Sequence, residues 1–324
     1  MKGSVLFQSF FRYLLLIVVI LALVGIESSI FASNLPFQRR IEPVQAKPVP
    51  SENVISYAVE QNDKPVSSFT AATEEIWYRT PLDDVIKRFF SDEQIDPDDV
   101  SFVITDLRSG KKYVHSPDKE IISASLYKLP LAMLYYDEIN NATLSPKDKY
   151  YYDLWMVECA GPVSENYDPG DLIALDSLLD MMISNSDNTA GHLLYTHYGG
   201  WETMREATLK YTDSEAAPSY YGPHNYMTAD YLNDVLMYIF DHQSDYRSLL
   251  NSMSLEQTEA FLNGSMPHLT KQKTGYYDQY HSAAGLVTNN NPYAITVLTE
   301  LGEYGSQYVI GEINRLAYDF FNNQ

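Results

Sequence analysis

The chain is 324 residues long, 45% hydrophobic and strongly acidic, with 43 Asp plus Glu against 22 Lys plus Arg for a net charge of −21. That composition builds a core and excludes a largely disordered chain, while the acidity and the lack of a basic patch exclude nucleic acid as a partner. Cys159 is the single cysteine, which excludes an intrachain disulfide and a cysteine-held metal or cluster, and no cofactor is expected.

Lys2 and Arg12 precede an apolar run from Tyr13 to Ile26. Its fourteen residues suit the apolar stretch of a signal peptide better than a full span, which takes about 20. Ala32 fits a cleavage site but Ile30, two positions earlier, does not, so residues 1–33 read as either a cleaved signal peptide or an uncleaved signal anchor. Both readings put the rest outside the cytoplasm, secreted or held at the membrane by the N-terminal segment. The scarcity of cysteine suits a Gram-positive cell surface. Residues 34–74 carry Pro36, Pro43, Pro48, Pro50 and Pro65 with little periodicity and read as a linker. Residues 1–50 are net +3 and the remainder net −24, so a different kind of chain begins beyond the linker. The globular domain is expected over 75–324.

Apolar spacing predicts a helix over 82–90, and a β-branched run predicts a strand over 100–107, followed by a Ser-Gly-Lys turn and a short strand near Tyr113. From Leu126 to about Phe261 helical patterns dominate, among them 172–183 and 231–240. Strands return at 269–276, 282–288 and 293–301, before an amphipathic helix over 308–321. The expected fold is α/β: an antiparallel sheet flanked by helices and assembled from both chain ends, with an inserted all-helical lobe and a cleft at the lobe boundary.

Ser-x-x-Lys occurs three times, at Ser109 to Lys112, Ser116 to Lys119 and Ser125 to Lys128, so context has to choose. Ser109 lies in a turn and Ser116 beside Pro117, whereas Ser125 opens the apolar run LYKLPLAMLYY. At i and i+3 of a helix the hydroxyl and ammonium share a face, and a helix N-terminus favours developing negative charge. A capping serine with a snorkelling lysine is the plain alternative. Ser186-Asp187-Asn188 separates two apolar helical runs, as a cleft edge or a simple cap would. Lys273-Thr274-Gly275 occurs once, on an expected strand, where the glycine admits close backbone approach and the lysine alternatively guards an edge. The three elements in this order form a joint signal stronger than its parts. His192, His197 and His242 have no spacing partner for a metal.

On these motifs, and on the stretches VSFVITDLRSG, SASLYKLPLA, ISNSDNTAGHLL and KTGYYDQYHSAAGLV, residues 75–324 resemble the penicillin-recognising active-site-serine enzymes, most closely the class A β-lactamase-like branch. The resemblance implies Ser125 as acylated nucleophile, Lys128 as its proton acceptor and Ser186 as proton relay to the leaving group. It implies Asn188 on the substrate amide and Lys273 and Thr274 on the substrate carboxylate beside Gly275. The N–H groups of Ser125 and Tyr276 would form the oxyanion hole, and His281 would lie near the carboxylate. A neutral lysine is needed as base, and the second cation, Lys273, is expected to help by disfavouring charge on Lys128.

The branch carries a Glu-x-x-x-Asn loop that positions the deacylating water, and the matching stretch here, Lys210 to Met227, lacks that spacing. Its acids are Asp213 and Glu215, and Asn225 is present. The expected function is a serine acyl-hydrolase acting on D-Ala-terminated peptidoglycan peptides or a similar carboxylate-ended amide. A class A-like β-lactamase is the alternative, and a non-catalytic wall-binding or sensory domain a third.

Overall fold

The computed structural model describes residues 81–322 except 159, 160, 215, 217 and 223. The expected signal segment and linker, Cys159 and Glu215 lie outside the described residues. Among the described residues no helix is long and apolar enough to cross a membrane.

Helix α1 (Pro81–Asp92) has Asp83 and Asp84 in its first turn, where the helix dipole favours acids. Leu82, Ile86 and Phe90, spaced four apart, are buried on one face, each worth roughly 1.5–3 kcal/mol of burial. Strands β1 (Val100–Asp106) and β2 (Lys112–His115) form the expected hairpin. Then come β3 (Ile121–Ile122), a 3-10 turn over Ala124–Tyr127 and helix α2 (Lys128–Asn140). The insert continues through β4 (Lys149–Tyr151), α3 (Pro162–Asn166), β5 (Leu172–Ala174), α4 (Leu175–Ser184), α5 (Asn188–His197), α6 (Trp201–Thr208), β6 (Tyr226–Met227), α7 (Ala229–Asp241) and α8 (Arg247–Met253). The chain returns through β7 (Thr270–Tyr277), β8 (Tyr280–Val287) and β9 (Tyr293–Thr299) to α9 (Gly302–Asn322).

Strands from both chain ends make one antiparallel sheet in the order β2-β1-β9-β8-β7. Period-two alternation serves two cores. Val103, Ala284, Leu286, Ala294 and Leu298 pack into the cluster shared with the inserted helices, whereas Phe102, Ile104, Ala283, Ile295 and Val297 pack with α1 and α9. A sheet covered on both faces explains why β1 and β9 read as nearly unbroken apolar runs.

The insert is helical but not wholly so. Residues 172–174, expected to begin a helix, instead pair as β5 with β4, Ile173 opposite Tyr150, and β6 pairs with β3, Ile121 opposite Met227. Pairing partners distant in sequence override the local helical pattern. Helix α9 begins at Gly302 rather than at 308; Gly302 has φ 71, and glycines at 302 and 305 weaken the helical signal of that first stretch.

Candidate active site

The nucleophile candidate sits where two helix types join. Ser125 lies in the 3-10 turn and Lys128 begins α2. In a 3-10 turn residues i and i+3 eclipse one another, which aligns the pair more closely than the expected α-helical turn. Lys128 is fully buried, and its Nζ lies 3.0 Å from Ser125 Oγ, 2.6 Å from the Ser186 carbonyl, 2.6 Å from Asn188 Oδ1 and 3.5 Å from Ser186 Oγ. The other two motifs point elsewhere. Lys112 pairs with Asp230 at 2.9 Å and Asp234 at 3.3 Å, Ser109 bonds Asp106, and Lys119 pairs with Glu300 at 3.1 Å.

Ser186 has a left-handed conformation, φ 54, which costs a non-glycine residue of order 1–3 kcal/mol and persists only where the surroundings hold it. Asp187 supplies that hold. Its carboxylate accepts from Ala190 N, capping α5, and from Val163 N on α3, both at 2.8 Å, while its own N–H bonds the Met181 carbonyl of α4 at 3.1 Å. The Ser-Asp-Asn corner is therefore fastened to three helices.

Strand β7 is one of the two edge strands of the sheet. Lys273, opposite Ala284, belongs to the face covered by the insert, and its Nζ reaches Ser186 Oγ at 3.0 Å and the Thr274 carbonyl at 3.0 Å. The Ser186 hydroxyl thus stands between two lysines. Gly275 passes so near the nucleophile turn that a Cβ there would collide with the Ser123 carbonyl and lie 2.9 Å from Ser125 N. Gly275→Ala is expected to displace one of the two walls and slow acylation about 100-fold, the usual effect of a 1 Å misplacement. Stopped-flow acylation with a chromogenic β-lactam checks this.

Glu256 was not legible in the sequence. Fully buried beyond α8, it is ion-paired with Lys273 Nζ through Oε1, which also accepts from Thr274 Oγ1 at 2.9 Å; Oε2 accepts from Thr274 N at 2.8 Å. Burial lowers the Lys273 ammonium from the ordinary lysine value and raises the Glu256 carboxyl, each partly offset by the other. The cation expected to act on Lys128 is therefore largely balanced by its own counter-ion. Since N–H groups of alternate strand residues point the same way, Tyr276 N–H shares the open edge with Thr274 N–H.

His281 lies opposite Tyr276, one step off the parity of Lys273 and Gly275. It stacks on Phe261 and Tyr276, and its Nε2 is 3.2 Å from the Asp278 carbonyl. The sheet alternation gives it the parity of Thr274 and Tyr276 rather than that of Lys273 and Gly275. His192 faces Glu158 at 2.8 Å, and His242 meets the Tyr238 carbonyl at 2.9 Å.

Beneath the nucleophile turn, Asn225 bonds through Nδ2 to the Ala124 carbonyl and through its own carbonyl to Ser123 N at 2.8 Å. Its Oδ1 accepts from Arg205 Nη1 at 2.9 Å. Arg205, fully buried, also donates to the Tyr220 and Tyr226 carbonyls and lies over the Tyr220 ring at 3.6 Å. This brace holds Ala124 at φ 48, just before Ser125.

The model of the β-lactamase enzyme family matches residues 81–321. This chain belongs to the β-lactamase enzyme family. Among solved structures this family member is similar to PBP-A, with a TM-score of 0.66 and 18% identity over 76% of this chain and 97% of that one. A mutant PBP-A in acyl-enzyme complex with penicillin-G gives 0.65 and 17% over 75% and 97%. The β-lactamase of Chitinophaga pinensis gives 0.65 and 20% over 75% and 100%. At these identities the likeness establishes a shared fold. No curated protein matches the chain. Family and fold together make it a β-lactamase-like, penicillin-recognising serine hydrolase that works through an acyl-enzyme.

Proposed function

We propose that this hydrolase is an exported enzyme that forms its acyl-enzyme on D-Ala-terminated peptidoglycan peptides or a similar carboxylate-ended amide, with Ser125 as nucleophile. The observation that carries the reading is the continuous polar chain from Ser125 Oγ through Lys128 Nζ and Ser186 Oγ to Lys273 Nζ. A neutral Lys128 has two N–H donors, which the Ser186 carbonyl and Asn188 Oδ1 take up, and a lone pair left for the Ser125 proton. As Oγ attacks the substrate carbonyl, Lys128 accepts that proton, and the N–H groups of Ser125 and Tyr276 receive the oxyanion. Ser186 passes a proton to the departing amine, Asn188 turns its Nδ2 to the substrate amide, and Lys273 with Thr274 takes the carboxylate. Water then enters where D-Ala left, and Lys128 with Ser186 activates it by reversing these roles. The apolar run at 13–26 and the linker beyond it support placement on the outer surface, anchored or secreted.

Asn225 favours this reading over the β-lactamase alternative. Its side chain is committed to the Ala124 carbonyl and to Arg205 and is not available to position a deacylating water. In an opened β-lactam the tethered amine blocks the path by which it left, so water needs a separate base. With Glu215 read as a solvated loop residue, that base is missing, and general-base assistance of about 10²–10⁴ in rate is lost, roughly 3–5 kcal/mol. Benzylpenicillin is therefore expected to acylate the enzyme once and to leave over minutes or longer, while a D-Ala-terminated depsipeptide turns over many times. Parallel measurement of steady-state release with the two compounds decides it. Rapid multiple turnover of benzylpenicillin would replace this reading with the β-lactamase one.

A further inference from the structure

Lys273 presents a problem of charge. It is fully buried, and an ammonium removed from water holds its proton only if a partner replaces the lost hydration. Ser186 Oγ and the Thr274 carbonyl are neutral acceptors. Glu256 is the anionic partner in contact with it, and the same carboxylate grips the main chain and hydroxyl of Thr274 at the open edge of β7. We propose that Glu256 is a positioning residue of this active site: it holds Lys273 as an ammonium aimed at Ser186 and so gives the site its preference for substrates that end in a carboxylate.

The inference rests on the reading that Lys273 takes the substrate carboxylate. Glu256 touches no reacting atom in that scheme and acts through Lys273 and the β7 edge. Its arrangement differs from that of a surface guard. A lysine guarding a sheet edge keeps its ammonium in water, whereas this one is turned inward and neutralised by a buried acid delivered from the segment after α8. The other titratable groups on β7 and on the elements packed against it are Lys271, Tyr276 and Tyr277 on β7, Tyr280 and His281 on β8, Tyr127 on the nucleophile turn and Arg247 on α8. Lys128 meets Lys273 through the shared Ser186 hydroxyl.

The test compares benzylpenicillin with its methyl ester, which lacks the carboxylate but offers the same reacting carbonyl. Lys128 and Ser186 serve both compounds, so the ratio of the two acylation rates isolates carboxylate recognition from the chemistry. In the native enzyme the ratio favours benzylpenicillin and declines as pH rises, with a midpoint below the ordinary lysine value because burial lowers Lys273. In Glu256→Gln that decline moves to lower pH. Above that lowered midpoint the preference drops at least 10-fold relative to the native enzyme, and it returns as the pH is lowered and Lys273 regains its proton. Glu256→Asp moves the profile the same way by less, and it carries the test should the Gln variant fail to fold. Equal losses for both compounds at every pH would make Glu256 a structural residue only and overturn the inference. A native enzyme that either compound acylates without preference would instead overturn the carboxylate role of Lys273 on which it stands.

Discussion

Ser125→Ala is expected to abolish acylation by β-lactams and depsipeptides while leaving the fold and melting temperature nearly unchanged. No other serine in a Ser-x-x-Lys motif combines a turn leading into a buried helix with a lysine bonded to its hydroxyl: Ser109 is held by Asp106, and Lys112 and Lys119 are drawn into ion pairs with acids. Removal of one half-buried hydroxyl costs the fold little, about 1 kcal/mol for a single hydrogen bond. The loss of the nucleophile removes the covalent route altogether. Intact-protein mass spectrometry reads the outcome, and labelling that persists in the variant would move the nucleophile elsewhere.

Lys128→Ala is expected to slow acylation by 10²–10⁴, the usual contribution of a positioned general base. The buried amine holds three groups together, Ser125 Oγ, the Ser186 carbonyl and Asn188 Oδ1, so its loss also loosens the left-handed Ser186. Single-turnover kinetics with benzylpenicillin measure the effect. Lys112→Ala and Lys119→Ala serve as controls and are expected to change the rate less than twofold, because their ammonium groups sit in exposed or half-exposed ion pairs worth about 0–1 kcal/mol. Equal losses in all three variants would remove the special role of Lys128.

Much of this site is legible in the sequence because the chemistry is carried by short motifs whose neighbours reveal their setting. Ser125 to Lys128 is marked by the apolar run that follows, Ser186 to Asn188 by the two apolar runs it separates, and Lys273 to Gly275 by the strand around it. What stays hidden is set by contacts distant in sequence. Glu256 sits in the stretch SLEQTEAF, which reads as solvated, and nothing local discloses that its carboxylate closes the edge of β7. Nothing local marks Arg205 or Asn225 for their meeting under Ala124, which joins residues 20 and 101 positions apart. The fold divides in the same way. Alternation along β1, β8 and β9 reveals a sheet made from both chain ends, but the ribbons β4–β5 and β3–β6 depend on cross-chain pairing that a local helical pattern conceals.

The most direct measurement is peptide mapping of the enzyme after brief exposure to benzylpenicillin, with acid quenching and mass spectrometry of the proteolytic fragments. One penicillin mass, carried by the fragment that contains Ser125 and fading over minutes as free enzyme returns, is the expected result. An adduct on a fragment without Ser125, or no adduct on a folded enzyme at concentrations that saturate penicillin-recognising hydrolases, would contradict the assignment of Ser125, Lys128 and Ser186 as one acylating centre.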